Sequence, residues 1–227
     1  MKLNLGCGNV IFPLNRDEPI PFQNHLMPLQ PECFEDSWTN VDKWPNPGVA
    51  EIVNLFHFPW IRSTTNAPWP DNSIDYIYCG HLVEHIPHEV RISLDCPVYM
   101  WADYTRLCEG FNGLYIFFHE VWRVLKPGGR IHVRTPYALS TAALSDPTHT
   151  RYMTPATLAY LVKPKEVIPF DNHLPFDFDM PQLPIMRICG DFVKEVHEGM
   201  TEEEFRKRAS DQLDFVDEIQ TTLVAIK

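Results

Sequence analysis

The sequence predicts an α/β fold, a mainly parallel sheet doubly wound with helices on both faces, and three observations predict it. The first is Leu3-Asn4-Leu5-Gly6-Cys7-Gly8-Asn9, a short apolar strand that runs straight into a glycine turn. The second is the alternation, over most of the chain, of β-branched or aromatic runs with helical runs, which calls for parallel strands and crossover helices. The third is length. At 227 residues the chain suffices for one well-buried domain with some elaboration and is short for two, so residues 1–227 are expected to form a single domain.

Taken in order, Gly6 and Gly8 let the backbone turn with positive φ and leave no Cβ to hold a ligand off the main chain. Residues 13–37 follow, with Pro13, Pro19, Pro21, Pro28 and Pro31 and no sustained period, and read as a long loop or a broken helix. Trp38-Thr39-Asn40-Val41-Asp42 is a second strand that ends in an acid, and Glu51-Ile52-Val53-Asn54-Leu55 is a third. Trp69-Pro70-Asp71-Asn72-Ser73 is a turn before a fourth strand, Ile74 to Cys79, β-branched and aromatic as a central strand should be. Gly80-His81 closes it, and Leu82 to His88 start a helix that Pro87 shortens.

Residues 89–113 are poorly patterned and read as an insertion. Leu114, Phe117, Phe118, Val121 and Leu125 then mark the apolar stripe of an amphipathic helix. Lys126-Pro127-Gly128-Gly129 forms a turn into a fifth strand, Arg130 to Thr135, which Pro136 stops. Thr154-Pro155 pairs an N-cap with proline at the first helical position and opens a helix through Val162. Residues 164–184 read as a further loop insertion and Ile185 to Ile188 as a short sixth strand. Thr201-Glu202-Glu203-Glu204 is a capping box before a charged helix, and Gln220 to Ile226 is a terminal strand.

Composition narrows the function. A formal charge of −11 opposes a phosphate-rich partner, since nucleic-acid binding depends on clustered Lys and Arg. The six cysteines, Cys7, Cys33, Cys79, Cys96, Cys108 and Cys189, contain no C-x-x-C pair and read as reduced thiols. No apolar run approaches the roughly 18 residues of a membrane span, and none precedes Leu3 as a leader would, so a cytoplasmic protein is expected.

The order of strand ends points to a ligand. A ribose and adenine lying along the carboxyl edge of such a sheet need an acid at the end of the second strand for the sugar hydroxyls, and Asp42 stands there. Asn54 can meet the adenine amine, with Leu55 as an apolar wall, and Cys79-Gly80-His81 would close the pocket near the reacting group. A dinucleotide is disfavoured, because Phe12-Pro13 lies near the place where a third glycine belongs.

These residues resemble the class I S-adenosylmethionine-dependent methyltransferases, and within them the methyltransferase type 11 group. Leu3 to Asn9 is similar to the family's first motif and Asn40-Val41-Asp42 to its ribose-binding motif. Trp69 to Asp75 with His81-Leu82-Val83-Glu84-His85 is similar to its fourth-strand region. Glu120-Val121-Trp122-Arg123-Val124-Leu125-Lys126-Pro127-Gly128-Gly129 resembles the helix and turn before its fifth strand, and is the most specific match. The resemblance covers about residues 1–160. It implies a Rossmann-like sheet of seven strands with an antiparallel last strand, and S-adenosyl-L-methionine held by Leu5, Gly6, Cys7, Gly8, Asp42, Asn54, Leu55, Cys79 and His81. Two departures stand out: the first motif lacks a further glycine, and proline-rich sequence replaces the helix that normally follows it. The insertions at 89–113 and 164–184 lie outside the shared pattern.

The chemistry asks little of the protein, since a sulfonium is already an activated leaving group. The enzyme holds donor and acceptor in line, excludes water and, for some acceptors, takes a proton. His149 is the candidate base, with Asp146 as its orienting partner, in Asp146-Pro147-Thr148-His149, a stretch similar to one in several members of the group. His81 is a candidate wall beside the methyl group. His81-x-x-Glu84-His85 also spells an inverted zinc-protease motif, but no other protease part follows, and no metal is expected. The reading is methyl transfer to a small-molecule or sugar acceptor, oxygen favoured. The alternative is a module that binds the same cofactor without turnover and acts as an interaction partner. An open groove beside His81, Tyr137, His149 and Tyr152 would favour turnover.

Overall fold

A computed structural model describes residues 1–8, 11–12, 38–92, 113–162, 174–192, 196 and 199–227. The expected loop at 13–37 lies outside these residues, as do most of the 89–113 insertion and the first part of the 164–184 loop.

The sheet grows outward from the first strand. β1 (Lys2–Leu5) pairs in parallel with β2 (Trp38–Asp42), and β2 pairs in parallel with β3 (Glu51–Ile52). Two short excursions follow, β4 (His57–Phe58), then β5 (Ile61–Arg62) paired with β6 (Ala67–Pro68). The chain then returns to the other side of β1 as β7 (Ile74–Gly80), also parallel. β8 (Arg91–Ile92) pairs with β4 in a separate two-stranded sheet. Helix α1 (Gly113–Val124) leads into β9 (Leu125–Pro136), parallel to β7.

Short helices α2 (Thr141–Ser145) and α3 (Pro155–Ala159) come next, then β10 (Asp177–Asp179), β11 (Ile185–Ile188) and α4 (Glu202–Asp211). The last strand, β12 (Val216–Ile226), runs antiparallel to β9 and carries β10 and β11 on its outer edge. The main sheet has eight strands in the order β10-β12-β9-β7-β1-β2-β3, with β11 beside β12. Among the described residues no helix is long and apolar enough to cross a membrane.

Register explains the two faces of the centre. Leu3 faces Ile77 and Leu5 faces Cys79, an aliphatic surface that is fully buried. On the other face Tyr76, Tyr78, Trp38 and His132 gather with Phe12, which packs edge-on against Trp38 at 4.8 Å and Tyr78 at 4.9 Å. Buried side chains on both faces are what a central parallel strand requires. Asn40 pins the chain after the glycine turn: its side chain accepts the Phe12 amide and donates to the Phe12 carbonyl, while Asn4 donates to it from the neighbouring strand.

Several expectations are corrected. The sheet holds eight strands rather than seven, because β10 lies within the segment read as loop and shares an edge with β11. The third strand is only Glu51–Ile52, since Asn54 ends it by accepting the Phe56 amide in a side-chain turn. Leu82 to His88 forms a single 3-10 turn, Val83–His85, and α3 stops at Ala159 rather than Val162. β9 begins at Leu125, so the Lys126–Gly129 turn is a bulge inside it: Leu125 pairs with Ile74 and Arg130 with Tyr76. Gly128 takes φ +75°, and a Cβ on Gly129 would meet the Lys126 carbonyl at 2.9 Å. The last strand starts four residues before Gln220.

The most specific motif of the sequence performs a structural task. Glu120, fully buried on α1, accepts both the Nε and Nη2 protons of Arg123 and the Trp60 amide. Arg123 reaches on to the Trp69 carbonyl and Asp71. The fork thus ties α1 to the segments that precede β7. Removing one partner of such a buried pair strands the other charge. Glu120→Ala is therefore expected to lower unfolding free energy by about 3–5 kcal/mol, read by urea denaturation; a loss under about 1 kcal/mol would contradict this role.

Candidate functional site

Because β2 and β7 flank β1 on opposite sides, the strand order reverses at β1, and in an open sheet ligands bind at the carboxyl edge of such a switch point. A cavity of about 440 Å³ lies there. Gly6 lines it from the end of β1, and Asp42, Lys43 and Trp44 from the end of β2. Val53 to Phe56 line it after β3, and Leu82, His85 and Thr148 close its far wall. The volume falls in the usual range of small-molecule sites, about 300–1,000 Å³.

The glycine turn adopts the conformation its residues allow, with Gly6 at φ +63° and Gly8 at φ +51°. The Gly6 and Cys7 amides both donate to the Val41 carbonyl. A Cβ on Gly6 would lie 3.0 Å from Leu82, whereas one on Gly8 would meet nothing within 4 Å. Asp42 joins the two turns. One carboxylate oxygen accepts the Gly8 amide at 2.8 Å and the other accepts the Trp44 amide at 3.0 Å. Each oxygen retains a further lone pair, so the group can still accept from a ligand. Trp44, 61% exposed, lies over this edge with Lys43 5.4 Å from its ring.

Of the expected cofactor residues, the fold brings Gly6, Asp42, Asn54 and Leu55 to the cavity. Leu5 is buried beneath it. Cys7 and Cys79 are buried free thiols. Burial, then the nearby Asp42 charge, pushes Cys7 up to about 12, and burial with Glu84 holds Cys79 well above the ordinary range, so neither supplies a thiolate.

His81 sits at φ +52° just past β7 and does not line the cavity. Its Nε2 donates to Glu218 at 2.9 Å, and its Nδ1 lies 3.5 Å from Glu84. Glu218 also takes a two-pronged bond from Arg134. Desolvation opposes charge on His81, only weakly because the side chain is 51% exposed, and the two carboxylates outweigh it and raise its pKa to about 9.

His149 is only 6% exposed. Its Nδ1 donates to the Ala143 carbonyl at 2.8 Å, and its Nε2 lies 3.7 Å from Asp146. Its ring packs edge-on against His85, 4.7 Å away, which in turn lines the cavity. Of the other groove candidates, Tyr137 is buried, with its hydroxyl bonded to Ala209. Tyr152 lies on a separate cavity formed with His88, Tyr115 and Tyr160. Sequence reasoning missed Lys43, Trp44, Val53, Phe56, Leu82 and Thr148, and His85, which reads from sequence as part of a helix start. An exposed tryptophan two residues after the strand-ending acid was the available signal.

No family model matches the chain, and no curated protein matches it. Solved structures similar to it include an S-adenosylmethionine-dependent methyltransferase from Archaeoglobus fulgidus, with TM-score 0.47 and 14% identity over 98% of this chain and 85% of that one. A methyltransferase of the same dependence from Listeria monocytogenes gives 0.44 and 10% over 100% and 91%. Phosphoethanolamine N-methyltransferase 2 of Haemonchus contortus, solved with S-adenosyl-L-methionine, gives 0.45 and 12% over 100% and 48%. At such identities the functional assignment rests on the site's own geometry.

The His81 pairing predicts a pH dependence. A folded pKa raised above the unfolded 6.5 means that the charged ring stabilises the fold fully below about 6.5 and progressively less as pH rises through about 9. NMR titration of His81 should give a midpoint near 9, and one near 6.5 would contradict the double pairing.

Proposed function

We propose that this chain is an S-adenosyl-L-methionine-dependent methyltransferase acting on a small-molecule or sugar acceptor, with oxygen the favoured atom. The observation that carries the reading is Asp42, an acceptor-only carboxylate fixed by two backbone amides at the rim of a cavity on the strand-order switch. The fit extends around the cavity. Left-handed Gly6 at the rim, and left-handed Gly8 behind it on the Asp42 carboxylate, keep side chains off the main chain, Leu55 offers an apolar wall, and Asn54 a polar edge.

Asp42 would hold the ribose hydroxyls, Asn54 and Leu55 the adenine, and the Gly6–Gly8 turn the amino-acid end. When bound, the cofactor supplies a methyl group on a positively charged sulfur. The chain's own residues then orient the acceptor, exclude water and deal with its proton. That last task would fall to His149, which lies behind His85 rather than on the cavity lining, with Nε2 as its basic atom and Asp146 beside it to steady positive charge.

Calorimetry with S-adenosyl-L-homocysteine tests the cofactor reading. Asp42→Ala should weaken binding at least tenfold, given about 1.5–3 kcal/mol for each hydrogen bond to a charged group. Unchanged affinity would sink the assignment. Turnover is tested separately, by methyl transfer from labelled cofactor to a panel of hydroxylated acceptors. His149→Ala should lower kcat by roughly 10²–10⁴ and leave cofactor affinity within about threefold. A chain that binds S-adenosyl-L-homocysteine and methylates nothing supports the binding-module alternative.

A further inference from the structure

We propose that Glu84, His85 and His149 form a binding site for one divalent transition-metal ion at the wall of the cavity. The proposal deepens the methyltransferase reading, on which its catalytic role rests, but the site itself stands on local geometry. Each of the three residues offers a ligand atom, and those atoms lie within 4.8 Å of one another.

Hydrogen bonding fixes both rings in the form a metal needs. The Ala143 carbonyl can only accept, so Nδ1 of His149 carries the proton and Nε2 the lone pair. Thr148 gives its single hydroxyl proton to Asp146 at 2.6 Å, so at 3.0 Å it accepts from Nδ1 of His85, and that ring too keeps its lone pair on Nε2. Imidazoles whose second nitrogen donates to a protein oxygen are the usual supporting arrangement of histidine ligands.

Glu84 completes the set. It is 2% exposed; Oε2 accepts from Thr135, but Oε1 is buried without a hydrogen bond. Its nearest charged neighbour, Nδ1 of His81, lies 3.5 Å away. On the outer side, Asp146 adds a second carboxylate 3.7 Å from Nε2 of His149. Protonated His81 offsets part of the Glu84 charge, and an ion between the two lone-pair nitrogens and the carboxylates would offset the rest. Two histidines and one carboxylate suit zinc-like ions, with ligand bonds of about 2.0–2.2 Å, so binding would draw the three atoms inward.

An ion there has an outlet toward the cavity, because His85 and Thr148 line it. Its open position would take an acceptor hydroxyl and lower that group's pKa. The O–H bond then breaks and the proton leaves to water past Asp146. The freed oxygen takes the methyl group as its bond to sulfur breaks, and sulfur leaves as a neutral thioether. His149 on this account acts through the ion rather than as a free base.

Titration of the metal-free full chain with Co²⁺ tests the site directly, without turnover. The expected result is one ion per chain with the intense visible absorption of low-coordinate Co²⁺, competed by Zn²⁺. His85→Ala and His149→Gln should each weaken binding about 100-fold, while the exposed His57→Ala leaves it unchanged. Should His149→Gln fail to fold by circular dichroism, His85→Ala decides. No uptake by the wild type, or full affinity in the folded histidine variants, overturns the site. Parallel calorimetry with S-adenosyl-L-homocysteine keeps the two readings apart. Lost metal with retained nucleoside binding sinks this inference alone, and the reverse sinks the methyltransferase reading and leaves a metal site.

Discussion

The carboxylate of Asp42 binds the Gly8 amide through one oxygen and the Trp44 amide through the other, and this pair of bonds holds the candidate site in shape. Two turns that leave neighbouring parallel strands would otherwise diverge. One buried acid draws them together, keeps the glycine turn against the sheet edge and sets Trp44 over the rim. Hydrogen bonds to a charged acceptor are worth roughly twice neutral ones, so the anchor is stiff as well as specific. The same acid faces the cavity, and the group that organises the site is therefore the group best placed to grip a ligand's hydroxyls.

Behind that rim the sheet supplies the rigidity. Leu3, Leu5, Ile77 and Cys79 form an aliphatic layer with no exposure, and the Glu120–Arg123 fork locks α1 to the segments before β7. Asn40 directs the backbone at Phe12 across the opposite face. The cavity wall at His85 is joined to this frame through the 3-10 turn after β7. The Glu84 carbonyl accepts the Thr150 and Arg151 amides, which brings the segment around His149 against His85. Residues 64 positions apart in sequence thus meet through two backbone bonds and one pair of rings.

The parallel core was legible because its signals are local. Trp38–Asp42 in that core and the antiparallel strand Ile185–Ile188 outside it match the expected strands end for end, and the N-cap expected at Thr154 and the capping box expected at Thr201 both form. What escaped was what tertiary contact decides. The third strand stops early because Asn54 prefers its own side-chain turn, and the helix after His81 shrinks to one turn as Thr150 and Arg151 take the backbone acceptors it would use. β10 was invisible inside a proline-rich stretch because it forms against partners distant in sequence, β12 and Val162. At the site, Asp42, Asn54 and Leu55 were readable from strand ends. The tautomers of His85 and His149 were not, since the first depends on Thr148, far away in sequence, and the second on how the chain between Ala143 and His149 folds back on itself.

The account turns on one claim, that the carboxyl edge around Asp42 is a nucleoside site. A crystal structure of the full chain with S-adenosyl-L-homocysteine tests it most directly. The account predicts the ribose hydroxyls on the Asp42 carboxylate and the adenine against Leu55 beside Asn54. Nucleoside density at another place, or an empty edge at saturating ligand, would contradict it.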